Sequence, residues 1–455
     1  MQARGAAEGR TPGPAQLHTT SGAAELVSGR WGALAVPNYR TYFIVSAVSQ
    51  SGGWLLRTAQ SWLVLDLTGS PAALGVLALF QFLPITFLTL FAGVLIDRVP
   101  SRRLLVATQL TIGLQAAALG ALVLTQRVEY WHVLALAAVL GVASAFDQPA
   151  RSVFVSQLVG PRRIGNAVAL NSAVANGARI VGPGVGGLMI AVWGTGICFA
   201  VAGAAYLAAL AGLFMLRQDQ FHPKRQAGRG AVLGQLWDGV RYSFSSPSLG
   251  FNFVLMAFIG TFAYNWGLVL PLLARYALDS GPQGFGGLNI AMGLGSVLGG
   301  VLLATRLRPS AWLVIVAAGV YSVLVGLVGL VPSLATALGL LVAAGVLSIV
   351  YSASSNTLLQ LQAREEYRGR VLALYMLLFA GSTPIGSAVT GLISDRWDIR
   401  VALGVNGAMC VLGVLLAGVY LVAARRRANA AARAADAAGP AVASARKACT
   451  VRAHP

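Results

Sequence analysis

Two arginines set the chemical question. Arg57 and Arg179 each stand inside a long apolar stretch with no acidic residue within a helical turn on either side. A guanidinium keeps its charge at every accessible pH and offers five N–H donors. In an apolar layer it has to face a wet cavity or an acid on another element, so its chemistry is that of binding. Side chains that could share this role are Gln50, Gln60, Gln81, Asn171 and Asn176 in the first half of the chain, and Asn252, Tyr264, Asn265, Asn289 and Asn356 in the second. Each can equally be a hydrogen bond between helices. Trp54, Trp62, Phe80, Phe82, Trp266 and Tyr375 could line an apolar pocket or pack against core and lipid. Asp147 and Arg151 lie four apart with the acid first, the favourable order on one helix face, and read as a clasp or, alternatively, a proton carrier. Catalysis finds no footing. His18, His132, His222 and His454 fall in tails or loops, Cys198, Cys410 and Cys449 form no disulfide framework, no spacing suits a metal, and no phosphate-binding Gly-x-x-x-x-Gly-Lys occurs. No cofactor is called for.

The elements that must hold these residues are membrane helices. The 455 residues are 56% hydrophobic and only 10% charged, outside the range of soluble domains. From Ala72 to Ile96, 25 successive positions carry no Lys, Arg, Asp, Glu or His. That is long enough to cross a hydrocarbon core of about 30 Å as a helix. Segments of this kind recur at about 42–65, 72–96, 104–125, 130–156, 165–192 and 195–216, and again at 248–275, 284–305, 311–331, 334–359, 370–393 and 401–424. The reading is an all-α membrane protein with twelve transmembrane helices in two six-helix pseudo-repeats.

The formal charge of +19 comes from 31 Arg and two Lys, collected in short loops and tails, which points to cytoplasmic loops and a lipid bilayer as partner and not to nucleic acid. With the N-terminus inside, the inner loops carry Arg98, Arg102 and Arg103; Arg162 and Arg163; the stretch from Arg217 to Arg241; Arg306 and Arg308; Arg364, Arg368 and Arg370; and Arg425 to Arg427. The outer loops hold Arg127, Arg275, Arg396 and Arg400, each with an acid nearby in Glu129, Asp279, Asp395 or Asp398. Both termini are therefore expected in the cytoplasm. The expected organisation is a disordered cytosolic tail over 1–40, bundles over 41–216 and 248–424, a cytoplasmic linker over 217–247 with an amphipathic helix from Ala231 to Phe244, and a second disordered tail over 425–455.

The halves are related. A basic loop at Arg162 and Arg163 precedes the span carrying Gly182-Pro183, and one at Arg364 to Gly369 precedes the span carrying Thr383-Pro384-Ile-Gly386. Two parallel repeats with a substrate path between them follow from this. Between the second and third spans lies Gly93-Val-Leu-Ile-Asp97-Arg98-Val-Pro-Ser-Arg102-Arg103. Further along stand Trp62-Leu-Val-Leu-Asp66-Leu-Thr-Gly-Ser70, Phe146-Asp147-Gln-Pro149-Ala-Arg151, Asn166-Ala-Val-Ala-Leu-Asn171-Ser and Ala178-Arg179-Ile-Val-Gly182-Pro183. Over roughly Tyr39 to Val422 the chain resembles the major facilitator superfamily, and these runs are similar to its branch containing the enterobactin exporter and drug:proton antiporters.

The resemblance implies the twelve-helix major facilitator fold and a secondary active exporter. It moves a drug, antibiotic or siderophore-like metabolite by alternating access, as proton-coupled antiport, from a monomer in a bacterial inner membrane. It also implies that Gly93, Asp97, Arg98, Arg102 and Arg103 form a cytoplasmic latch sharing a network with Asp147 and Arg151. By charge alone the same loop could merely set topology. Gly182, Pro183, Gly186 and Gly187 resemble an antiporter pattern in the fifth helix, and small-residue packing explains them as well. The substrate-path candidates are Arg57, Gln60, Asn171, Asn176, Arg179, Tyr264 and Asn265. Many relatives carry an acid where this chain has Gly53, and the second half has no mid-membrane carboxylate, which leaves Asp66 and Asp147 as proton sites and weakens the coupling. An uptake carrier on the same fold, or a non-transporting sensor or membrane-embedded transferase, are the alternatives. If Asp97 is a latch, Asp97→Asn inserts normally but loses transport; wild-type transport by the variant in a flux assay would leave topology as its role.

Overall fold

In the computed structural model, residues 32–223, 238, 240–244 and 246–451 are described; their apolar segments are helices, and no strand occurs among the described residues. Helix α1 spans Pro37–Thr68 and α2 spans Pro71–Arg98. Two residues join them. Gly69 closes α1 in the left-handed region at φ 63°, where a side chain would be strained, and the Ser70 hydroxyl accepts from the Ala73 amide to start α2. Helices α3 (Ser101–Leu124), α4 (Tyr130–Val159) and α5 (Ile164–Phe214) complete the first half. Helix α5 is two limbs joined at Gly194, whose φ of 76° breaks the helical path and gives the fifth and sixth predicted segments.

The second half begins with α6 (Pro247–Phe262) and α7 (Trp266–Leu272), which runs into a π-turn at Leu273–Ala277; together they form the seventh segment. Helices α8 (Gly281–Thr305), α9 (Ala311–Val328), α10 (Leu334–Gln362), α11 (Glu365–Arg396) and α12 (Ile399–Val451) follow. Among the described residues, 10 segments are long and apolar enough to cross a bilayer, one of them holding both limbs of α5. Helix α1, at 32 residues, is long enough but more polar, because Ser46, Ser49, Gln60 and Ser61 are buried against other helices and do not meet lipid. Each of the twelve predicted segments therefore coincides with helix.

The pairing of helices repeats between the halves. In the first, α2 packs on α4, α3 on α4 and the second limb of α5, and α1 on both limbs of α5. In the second, α8 packs on α10, α9 on α10 and α12, and α6 on α11 and α12. The two halves meet along α2 with α11 and α5 with α8. Both seams run through glycine. A Cβ on Gly187 would overlap the Gly286 backbone, one on Gly391 would sit 2.8 Å from the Pro71 carbonyl oxygen, and one on Gly75 would sit 3.1 Å from that of Ser387. Backbone-to-backbone approach of this kind is how helices associate where no hydrophobic effect separates them from lipid. Ile44, Phe87, Leu114, Val192, Leu298 and Val419 point outward, exposed, as a lipid face requires.

Two boundaries differ from expectation. The first tail ends earlier, because Ala33 is buried, its amide bonds Asn166 at 2.9 Å, and the buried Asn38 and Tyr39 hydroxyl and amide groups tie to Arg217 and Ala167. Residues 1–31 lie outside the described residues, as does most of the expected amphipathic helix from Ala231. Its end is helical over 240–244 and docks on α11, with Tyr242 stacked on Tyr367 at 4.2 Å. At the other terminus α12 continues as helix to Val451 where an unstructured tail was expected from Arg425, since a run of Ala and Arg has high helix propensity.

Gly187→Ala should cost roughly 1–3 kcal/mol through overpacking at the seam, read as a lower melting midpoint of the purified protein. Gly286→Ala, whose nearest contact would be 3.1 Å, should cost less. Equal midpoints for both variants and the parent would show that the seam has room.

Candidate functional site

The most buried charges lie inside the first half. Asp147 and Arg151 sit one turn apart on α4, both buried, and form an ion pair. The carboxylate also accepts from the Thr108 hydroxyl at 2.9 Å and the Gln109 amide at 3.0 Å, both on α3, while the guanidinium donates to the Ser46 and Ser49 hydroxyls of α1 at 3.1 Å each. Three helices are thereby tied at one level. Its oxygens are occupied by donors from its own helix and from α3, and that geometry favours the clasp over the proton carrier.

One turn earlier on α4, Ser144 accepts from Arg57 at 3.1 Å. Arg57, half-buried on α1, also donates to Gln81 of α2 at 3.4 Å and lies over the Phe82 ring at 5.1 Å. Gln81 in turn donates to the buried Gln60 at 2.7 Å. Three residues before Arg57, Trp54 carries the guanidinium of Arg179 over its ring at 5.2 Å. Arg179 is solvent-exposed although it lies mid-way along the first limb of α5, in line with exposed Asn176 and Ser172 on the same face. From the opposite half, Tyr264 lies within electrostatic reach of Arg179 and donates its hydroxyl to the Ser348 carbonyl at 3.0 Å. The cluster thus belongs to the first half and reaches Tyr264 of the second through Arg179, with two cations that form no ion pair among the described residues.

Not every predicted path residue reaches it. Gln60 faces protein and not a path, and Asn265 bonds Thr261 at 2.6 Å and accepts from Ser387 at 3.3 Å, so it links α7 to α11. Asn171 is half-buried nearby on α5, and Asn176 bonds the Ser172 carbonyl at 2.9 Å. In the glycine motif, Gly182 and Gly186 face α1, where a Cβ on Gly182 would stand 2.7 Å from the Ser51 carbonyl oxygen, and Gly187 faces α8. Pro183 removes the amide that would bond the Arg179 carbonyl, four residues back.

The basic loop divides. The surroundings of Gly93 and the side chain of Asp97 lie outside what is described, and Arg98 and Arg103 are exposed. Arg102 donates through Nε and a terminal nitrogen to the Leu213 carbonyl at 3.2 and 3.1 Å, capping the end of α5 in its own half. Among the described residues the loop and the Asp147 clasp share helix α3 and no hydrogen bond.

At the other end of the bundle, sequence reasoning missed a set of contacts between the halves. Asp66 pairs with Arg275 at 2.6 Å, displacing the sequence-adjacent Asp279 as its partner. The Tyr276 hydroxyl donates to the Gly69 carbonyl at 2.6 Å, and Asp395 accepts from the Ser70 hydroxyl at 2.7 Å and the Ala72 amide at 3.3 Å. Trp62 stacks on Phe285 at 5.5 Å beneath them. A cavity of about 490 Å³ opens here beside Asp66, Arg275 and Gly194, separate from the Arg57–Arg179 cluster. The available signal was that Asp66 and Arg275 close corresponding spans, the first and the seventh.

The family model for transmembrane secretion effectors matches residues 28–448. The chain belongs to the transmembrane secretion effector family. This family is a branch of the major facilitator superfamily, so the protein is a multi-pass membrane transporter and not an enzyme. Family relatives include the multidrug efflux pump Tap of Mycolicibacterium fortuitum, 27% identical across 80% of this chain and 91% of the relative. The enterobactin exporter EntS of Escherichia coli is 25% identical across 73% of this chain and 80% of its own. In fold the family member resembles a bacterial homologue of the human lysosomal transporter Spinster, solved inward-facing and unoccupied, at a TM-score of 0.64 with 14% identity over 86% of this chain and 97% of that one.

Asp147→Asn leaves the Arg151 guanidinium buried without its counter-charge and should cost roughly 3–5 kcal/mol. The expected reading is a large drop in melting midpoint, with much of it recovered in Asp147→Asn combined with Arg151→Met. A single variant as stable as the parent would mean that water reaches the pair.

Proposed function

We propose that this chain exports small molecules from a bacterial cytoplasm across the inner membrane by alternating access, as a monomer with both termini inside. The observation that carries the reading is the asymmetry of the closure. Asp66–Arg275, Tyr276–Gly69 and Asp395–Ser70 bridge the halves at one end, while the arginine-rich loops lie at the other. With those loops in the cytoplasm by the positive-inside rule, the bridged end is the outer gate and the conformation is inward-facing. The exposed stripe of Ser172, Asn176 and Arg179 then faces the cytoplasmic approach to the central cluster.

Switching outward requires the outer bridges to open and a contact to form at the Gly93–Arg103 end, where Asp97 is the natural latch. The relatives that are efflux pumps favour the outward direction of flux. A proton is the coupling ion in this proposal, with Asp66 as its carrier, because that carboxylate is accessible at the outer gate and its pairing with Arg275 changes as the gate opens. The clasped Asp147 is structural.

The test is accumulation of a panel of drugs and metabolites in cells with and without the protein, repeated with a protonophore. Lower accumulation that the protonophore reverses is expected for at least some compounds. Unchanged accumulation throughout would overturn export, and inward flux in cells with outward flux in inverted vesicles would identify an uptake carrier.

A further inference from the structure

The central cluster has a charge balance that selects its cargo. The chain has fourteen acidic residues, and among the described ones only Asp147 lies in the middle of a membrane-spanning segment, where it is committed to Arg151, Thr108 and Gln109. Glu8 and Glu25 lie in the first tail, Asp436 lies beyond the last span, and the remaining ten, Asp66 and Asp97 among them, are in loops or within a turn of a helix end. Arg57, within the first half, and Arg179, facing Tyr264 of the second, therefore carry two positive charges that the protein does not neutralise locally. Nature of the neighbours reinforces this. The partners of Arg57 are a neutral amide oxygen, a hydroxyl and a ring face, and Arg179 rests on the Trp54 ring.

Stacking on a ring occupies the flat face of a guanidinium and leaves its in-plane N–H edge for a planar acceptor. For Arg179 that edge meets no protein acceptor among the described residues. A charge this far into the membrane is retained where a counter-ion completes it. We propose that the counter-ion is the cargo: the site takes an organic anion with an aromatic or otherwise flat apolar body, its carboxylate, sulfonate or phenolate held between Arg57 and Arg179 and its rings against Trp54, Phe82 and Tyr264. Organic cations, which would require a carboxylate in the cavity, are disfavoured. This rests on the export reading for the direction of movement, and on the cluster alone for the charge of the cargo.

Fluorescein and a rhodamine methyl ester share one fused ring system and carry opposite charge. Binding of each to the full-length protein in lipid nanodiscs is measured by fluorescence anisotropy in mildly alkaline buffer, with empty nanodiscs as the partition control. Fluorescein should bind at least about tenfold tighter, and Arg57→Gln and Arg179→Gln should each weaken it by about tenfold, as loss of one charge-assisted contact does. The rhodamine should bind the same or tighter in those variants, which separates a lost charge from a lost fold, and Arg57→Lys and Arg179→Lys should keep part of the fluorescein affinity. Absence of fluorescein binding, rhodamine binding of equal strength, or fluorescein binding unchanged in both glutamine variants overturns the proposal. Flux in proteoliposomes distinguishes it from the export reading. Fluorescein bound through the arginines but not moved counts against export alone, whereas outward movement of the rhodamine with fluorescein ignored counts against the anion site alone.

Discussion

Hydrocarbon neither donates nor accepts a hydrogen bond, so each charge carried into it must be answered by protein, by water or by cargo. The two halves of this molecule meet that constraint differently. The first carries Arg57, Asp147, Arg151 and Arg179 at depth; the second answers with Tyr264, Ser348, Tyr321 and Asn252, polar groups without charge. Helix α4 sorts the charges of the first half by level. Its Asp147 neutralises Arg151, and one turn away its Ser144 can only solvate Arg57. One face of α4 thus carries a structural ion pair and, a turn away, the hydroxyl that meets the Arg57 cation of α1.

The same solvent explains why glycine does the joining. Greasy side chains gain nothing by leaving lipid for each other, so the seams between halves rely on close backbone contact, as where Gly187 meets Gly286 and Gly75 meets Gly391. Side chains fill the glycine positions of the α5–α8 seam as well, with Ile180 against Gly293 and Ile290 against Gly184. The polar bridges above them, Asp66–Arg275 and Asp395–Ser70, add directional contacts to this closed arrangement.

The helices were legible because a run of apolar residues long enough to span a bilayer has few other uses, and this held even for α1 with Arg57 inside it. Asp147 and Arg151 were legible as a pair because four residues bring two side chains onto one helix face. Partnerships across helices were not. Asp66 lies 209 residues from Arg275, and Ser144 lies 87 from Arg57. Which neighbours meet depends on how each helix is rotated about its axis, and no local spacing records that rotation. The same gap led Asn265 and Gln60 to be read as path residues when their amides serve neighbouring helices. The helical continuation of α12 ran against an expectation based on low hydrophobicity, because alanine and arginine favour helix without any core to bury.

The Asp66–Arg275 bridge is only partly shielded, with its side chains 47% and 34% exposed. An ion pair in contact with water weakens as electrolyte accumulates around it, with the screening distance falling to about 10 Å at 0.1 M and about 3 Å at 1 M. In the proposed orientation that electrolyte is the extracellular fluid. Saline surroundings then weaken this one bridge, while the Tyr276–Gly69 and Asp395–Ser70 contacts still join the halves at the same end.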